Sequence, residues 1–297
     1  MKIFKGLFIL GAMFAAGSCF DPPEYPNVPQ IEFDRVEFYD GNLTDSLVIH
    51  ISFIDGDGDL GIDGQALEYV SFPFNNKIFY QTDGAGNLNP LNTIAAVTSD
   101  RDTLHILDVP NPSIGKLVFP RTRKQPLYGF LPEADDCNNY EILRVLELLV
   151  EQGDTAVLDE HVEIMDTLYR SNETGPPTPF YQIYDTLYNT INPNHYNIDV
   201  DFLVYEPNNP DADEEGFVEF DWREEFCTQS FDGRFPILAD KPGPLEGTLR
   251  YGMYSLGFTN IFSIKLMKLR VKIRDRLLNE SNTVQTGAFT LDEIRVN

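Results

Sequence analysis

The stretch FIDGDGDLGID, residues 53–63, places four carboxylates, Asp55, Asp57, Asp59 and Asp63, within nine positions. Carboxylate oxygens at alternate positions are the ligands a hard cation such as calcium takes. Like charges this close repel one another in a short loop, and a bound cation relieves that repulsion. Gly56, Gly58 and Gly61 free the backbone to curl and let the acids converge. The same composition also builds a plain turn, with Asp side chains accepting backbone amides. Both readings stand at this point.

The spacing matches calcium loops of the D-x-D-x-D-G type in part. Asp55, Asp57 and Asp59 occupy positions 1, 3 and 5, and Asp63 falls at position 9. Leu60 stands where the glycine should be, Gly61 comes one place late, and Ala66 replaces the closing Glu. The flanks alternate like strands, which excludes the usual helix-loop-helix form. Other chemistry is sparse. His50, His105, His161 and His195 lie far apart, and no zinc-protease, nucleophile-elbow, P-loop or dinucleotide spacing is present. The chain is expected to be no enzyme. Paired carboxylates for glycoside hydrolysis are the one catalytic option so acidic a chain leaves open.

The chain opens MKIFKGLFILGAMFAAGSC: a basic start at Lys2 and Lys5, an apolar run, then small residues before Cys19. This reads as a secretory signal. The small residues ahead of the cysteine resemble the lipobox of bacterial lipoproteins, with Ala16 where Leu is commoner. That resemblance implies cleavage after residue 18 and acylation of Cys19; an ordinary signal peptide is the alternative. FDPPEYPNVPQ follows, and its four prolines favour an extended tether over residues 19–30.

Removing Lys2 and Lys5 with the signal would take the net charge from −25 to −27. Such a chain repels nucleic acid, so no nucleic-acid partner is expected. With 22 Phe, 14 Tyr and 42% hydrophobic residues it can build a core. Once Cys19 is acylated, Cys137 and Cys227 remain. Two cysteines in an exported chain point to a disulfide, with two buried thiols as the alternative.

Strand signals dominate. DSLVIHISFID alternates through Leu47, Ile49, Ile51 and Phe53, and NIDVDFLVYE through Ile198, Val200, Phe202 and Val204. GFVEFDW turns Val218, Phe220 and Trp222 inward. FSIKLMKLRVKIR alternates from Phe262 and changes phase near Met267–Lys268, which predicts a β-bulge. NNYEILRVLELLVEQG carries both helix and strand signals, and strand is favoured. The fold class expected is mainly β, with sandwich domains over 31–130 and 131–297 divided near Pro126 and Pro132.

The closing LRVKIRDRLLNESNTVQTGAFTL, with Asp275, Asn279 and Ser281 in a D-x-x-x-N-x-S turn, is similar to the last strands of bacterial immunoglobulin-like domains. DSLVIHISFIDGDGDLGID looks like an early strand and loop of such a domain. Taken with the lipobox, the chain resembles outer-membrane lipoproteins of the Bacteroidota built from immunoglobulin-like modules. The resemblance implies two tandem immunoglobulin-like sandwiches, a lipid anchor in the outer membrane, and a binding or scaffold role with a protein partner. A glycan-binding or glycan-active surface protein is the second expectation. D-[ST]-[AL] recurs at Ser46, Thr103, Thr155, Thr167 and Thr186 and resembles the O-glycosylation signal of exported Bacteroidota proteins; strand-entry capping explains the same tripeptide. Finally, Lys265, Lys268, Arg270, Lys272, Arg274 and Arg276 cluster. A charge ladder against Asp199/Asp201 or Glu219/Asp221 is favoured over an anion-binding patch.

Overall fold

The computed structural model describes residues 23–41, 44–64, 66–83, 85–91, 93–95, 103–106, 115–119, 140–149, 164–170, 178–226 and 230–296. They form fifteen strands: β1 (Gln30–Tyr39), β2 (Asp45–Asp55), β3 (Lys77–Thr82), β4 (Leu88–Leu91), β5 (Thr93–Ala95), β6 (Thr103–Ile106), β7 (Lys116–Leu117), β8 (Tyr140–Leu149), β9 (Ile164–Arg170), β10 (Thr178–Ile191), β11 (Ile198–Tyr205), β12 (Phe217–Phe220), β13 (Leu245–Ser255), β14 (Met267–Ile273) and β15 (Val284–Gln285). Three short helices accompany them: α1 (Leu67–Val70), α2 (Trp222–Phe226) and α3 (Phe258–Phe262). The protein is mainly β, as the alternation predicts. None of the described helices is long and apolar enough to cross a membrane.

The strands form three sheets, ordered β1-β2-β13, β12-β11-β14-β15, and β4-β3-β10-β8-β6-β5. The first two share one core. Ile31, Phe38, Leu47, Ile49, Ile51 and Phe53 pack with Ile198, Val200, Phe202, Val204, Leu269, Val271 and Ile273. Burying a side chain of this size contributes about 1.5–3 kcal/mol. The predicted inward sets of β2 and β11 are the observed ones.

This layout differs from two tandem sandwiches divided at 130–131. β2 pairs β13 along its whole length, Asp45 opposite Ser255 and Asp55 opposite Leu245. The packed pair of sheets therefore draws strands from both sides of the expected boundary. The third sheet, between residues 77 and 191, is inserted between β2 and β11. Periodicity shows that a segment is a strand and which face is apolar; it carries no information on which distant strand lies beside it.

The insertion is latched where it leaves and returns. The Asn192 side-chain amide donates to the carbonyls of Pro73 (2.7 Å) and Asn75 (2.8 Å). Arg234 reaches from the sandwich to the Phe74 carbonyl (2.6 Å) and to His195 Nδ1 (2.7 Å). Within the insertion the ambiguous segment 140–149 is strand β8, paired with β10 and, in parallel, with β6.

Two local expectations change. The phase shift near Met267 is not a bulge: α3 ends at Phe262 and β14 begins at Met267, so Ile264 lies on a connection and is 93% exposed. Trp222 does point inward, but from α2 rather than from a strand, packing against Phe202, Phe220 and Phe231. The basic cluster is the expected ladder. Asp201 faces Arg270 and Asp199 faces Lys272 across β11 and β14. Arg270 bridges Asp201 and Glu219 at 2.7 Å each, and Arg274 bridges Glu280 at 2.6 Å.

A candidate metal centre at the end of strand β2

Asp55 is the last residue of β2, and the chain then curls through Gly56–Asp59 before Leu60 enters the core with no exposure. Leu60, which spoils the match to the D-x-D-x-D-G pattern, is the loop's anchor. Gly58 adopts φ +71, and a Cβ there would lie 2.4 Å from the Gly243 carbonyl. Neighbouring segments fasten the loop backbone. The Asp57 carbonyl accepts from Gly243 N–H (2.8 Å), the Asp59 carbonyl from Arg276 N–H (3.3 Å), and the Leu60 carbonyl from Leu238 N–H (3.2 Å). On the tether side, Gly56 N–H donates to the Pro26 carbonyl (2.8 Å), and Tyr25 bonds Glu246.

This framing brings Asp55, Asp57 and Asp59 together, with one oxygen of each within 4.8 Å of the other two. Asp55 is fully buried, and its Oδ2 accepts from Asp59 N–H (3.1 Å). The Oδ1 atoms of Asp55, Asp57 and Asp59 are all buried and have no hydrogen-bond partner. A buried acceptor left unsatisfied costs roughly 1–3 kcal/mol, more when charged. Burial, then the neighbouring Asp57 charge, pushes the Asp55 carboxyl up to about 6. Burial, then the charges of Asp275, Asp57 and Asp55, pushes Asp59 up to about 7. The arrangement can neutralise itself by taking up protons or by holding a hard cation.

Asp63 is exposed and does not belong to the trio. The acid that does crowd the site, Asp275, comes from the other end of the chain. A bridge between Leu60 and Asp275 sets it there. Its two carboxylate oxygens hold the turn expected from the D-x-x-x-N-x-S pattern, accepting from Asn279 N–H (2.7 Å) and Nδ2 (2.8 Å). Ser281 Oγ accepts from Ile273 N–H (3.0 Å), completing the motif. Burial raises the Asp275 carboxyl as well. The two acidic turns, far apart in sequence, were each visible there; their meeting was not.

The remaining predicted positions are dispersed. Cys19, Cys137, Cys227 and Thr155 lie outside the described residues, so the anchor and the disulfide are not tested by the geometry. Ser46 is half-buried in β2, opposite Tyr39 and Tyr254. Beside it, Asp45 accepts from Thr259 N–H (2.9 Å) at the first turn of α3, a capping role. Thr103 opens β6, whereas Thr167 and Thr186 fall within β9 and β10. His50 contacts Glu37 (3.0 Å), and His195 Nδ1 contacts the Phe74 carbonyl (2.9 Å).

Comparisons of the chain with protein-family models, with curated proteins and with solved structures returned no match.

Proposed function

We propose that this chain is a non-enzymatic lipoprotein, anchored in the outer membrane through Cys19, whose sandwich serves as a scaffold that docks a protein partner. One observation carries this reading: large apolar side chains stand exposed at the end of β2 and β13 away from the tether. The tether arrives at the Asp-loop end, where Pro26 meets Gly56 and Tyr25 meets Glu246. At the opposite end of β2 and β13, Tyr254, Leu256 and Ile264 are 67%, 74% and 93% exposed. The two ends are separated by an eleven-residue strand, on the order of 35 Å. Exposed large apolar side chains mark interaction sites where they cluster; these three lie at the end away from the tether, while Leu277 (69% exposed) and Ile237 (40%) stand exposed near the Asp loop.

The glycan-binding alternative draws less support. Sugar platforms use exposed aromatics; Trp222 is buried in an aromatic cluster with Phe258 and Phe262, so a sugar platform would have to rest on exposed rings such as Tyr254 and Tyr39.

Fractionation and crosslinking test the proposal. Cys19→Ser is expected to leave the membrane fraction. In native envelopes, Leu256→Asp/Ile264→Asp is expected to lose a crosslinked protein that wild type retains, with an unchanged melting temperature. Membrane retention by Cys19→Ser, or identical crosslinking by the double variant, would contradict it.

A further inference from the structure

We propose that Asp55, Asp57 and Asp59 bind one calcium-class divalent cation, and that this cation holds the tether and the 275–279 turn against the end of the sandwich. Clustered acids alone would not support this, because acidic loops are common. The second observation is the state of their oxygens. Asp55 is fully buried at the end of a core strand; Oδ2 closes the turn, Oδ1 is buried without a partner, and one oxygen of the carboxylate lies within 4.8 Å of an oxygen of each of the other two acids. Asp57 Oδ1 and Asp59 Oδ1 are buried and unpartnered in the same way. A turn held only by side-chain-to-backbone bonds has no need to gather three spare anionic oxygens out of water.

The donor set selects the ion. Three carboxylates on a glycine-containing loop supply only oxygen, which suits calcium or magnesium and not the softer metals. Calcium takes six to eight ligands at about 2.3–2.6 Å in flexible geometry, whereas magnesium demands near-octahedral order and keeps its water. A loop supplying three carboxylates, with water completing the shell, fits calcium and an affinity of about 10⁻⁴–10⁻³ M, as in extracellular modules. Asp275 adds a fourth negative charge beside the site while its own oxygens stay on Asn279.

The clamp follows from the backbone. Gly56 lies between two of the ligands and bonds the tether; a Cβ on it would lie 2.4 Å from the Tyr25 carbonyl. Asp57 and Asp59 carry, on their carbonyls, the bonds to Gly243 and Arg276. A cation that fixes the three carboxylates fixes these contacts with them.

Calorimetric titration with calcium chloride, and separately with magnesium chloride, at 150 mM salt tests the site on wild type, Asp57→Asn and Glu224→Gln. The last removes an exposed acid elsewhere, as a control for diffuse binding to so acidic a chain. One saturable calcium event is expected in wild type and Glu224→Gln, weakened at least tenfold in Asp57→Asn, with magnesium weaker than calcium. No saturable heat in wild type up to 10 mM calcium, or an unchanged affinity in Asp57→Asn, would overturn the site; an equal magnesium response would overturn the calcium assignment. If Asp57→Asn fails to fold, anomalous scattering from wild-type crystals grown in calcium decides. A peak bonded to the carboxylates of Asp55, Asp57 and Asp59 supports the site, and its absence overturns it.

Discussion

Asp55 Oδ2 accepts a hydrogen bond from the main-chain N–H of Asp59 at 3.1 Å, while Asp55 Oδ1 stays buried without a partner. One oxygen of this carboxylate shapes the turn, and the other is left buried without a partner beside Asp57 and Asp59. The turn and the cation site are compatible features of one loop.

Asp55→Ala is therefore expected to cost stability whether or not calcium is present, because the bond to Asp59 is lost in both cases. The loss should be about 1–3 kcal/mol in chemical denaturation. A variant as stable as wild type in a chelator would show that the bond to Asp59 contributes nothing.

Gly56→Ala is expected to release the tether while the sandwich persists. The added Cβ meets the Tyr25 carbonyl, and the Pro26 carbonyl loses its partner. Limited proteolysis should cut residues 23–29 faster than in wild type, with the β-sheet circular dichroism retained. Equal cutting rates would remove Gly56 from the account of the tether.

His195 gives the latch a pH dependence. Burial, opposed by its bond to Phe74 and reinforced by the Arg234 charge, lowers its pKa to about 4 from an ordinary 6.5. Between these values the unfolded chain binds a proton that the folded chain refuses, so stability falls as pH drops from about 6.5 towards 4. His195→Gln should flatten this part of the stability–pH curve. A curve of unchanged slope would place the acid sensitivity elsewhere.

The ladder across β11 and β14 is expected to be worth little. Arg270 and Asp201 sit 2.7 Å apart, but both are about one-third exposed. A double-mutant cycle should give about 0.2–1 kcal/mol of coupling, falling with added salt. A coupling that salt leaves untouched would contradict a solvent-screened pair.

How far the sequence reaches is clear from particular residues. Ile198, Val200, Phe202 and Val204 alternate because β11 has one buried face, and the acids at 199 and 201 announce their basic partners by matching period. Leu60 misled as a motif residue because a packing requirement outranks a loop consensus. Phe262–Leu266 misled because a one-turn helix entering a strand mimics a shifted alternation. The pairing of β2 with β13, and the separate bridge of Leu60 to Asp275 that brings Asp275 beside Asp59, lie in long-range register that no local pattern encodes.

The central claim is most directly tested by the sign of a mutational effect. Asp59→Asn removes one charge from a buried, mutually repelling trio and changes the side chain's shape very little. Thermal melts of wild type and Asp59→Asn would be compared in chelator and in 5 mM calcium. The account predicts that the variant is at least as stable as wild type in chelator and that wild type alone gains several degrees in calcium, so that the order reverses. An Asp59→Asn protein less stable than wild type in chelator, with neither protein responding to calcium, would contradict it.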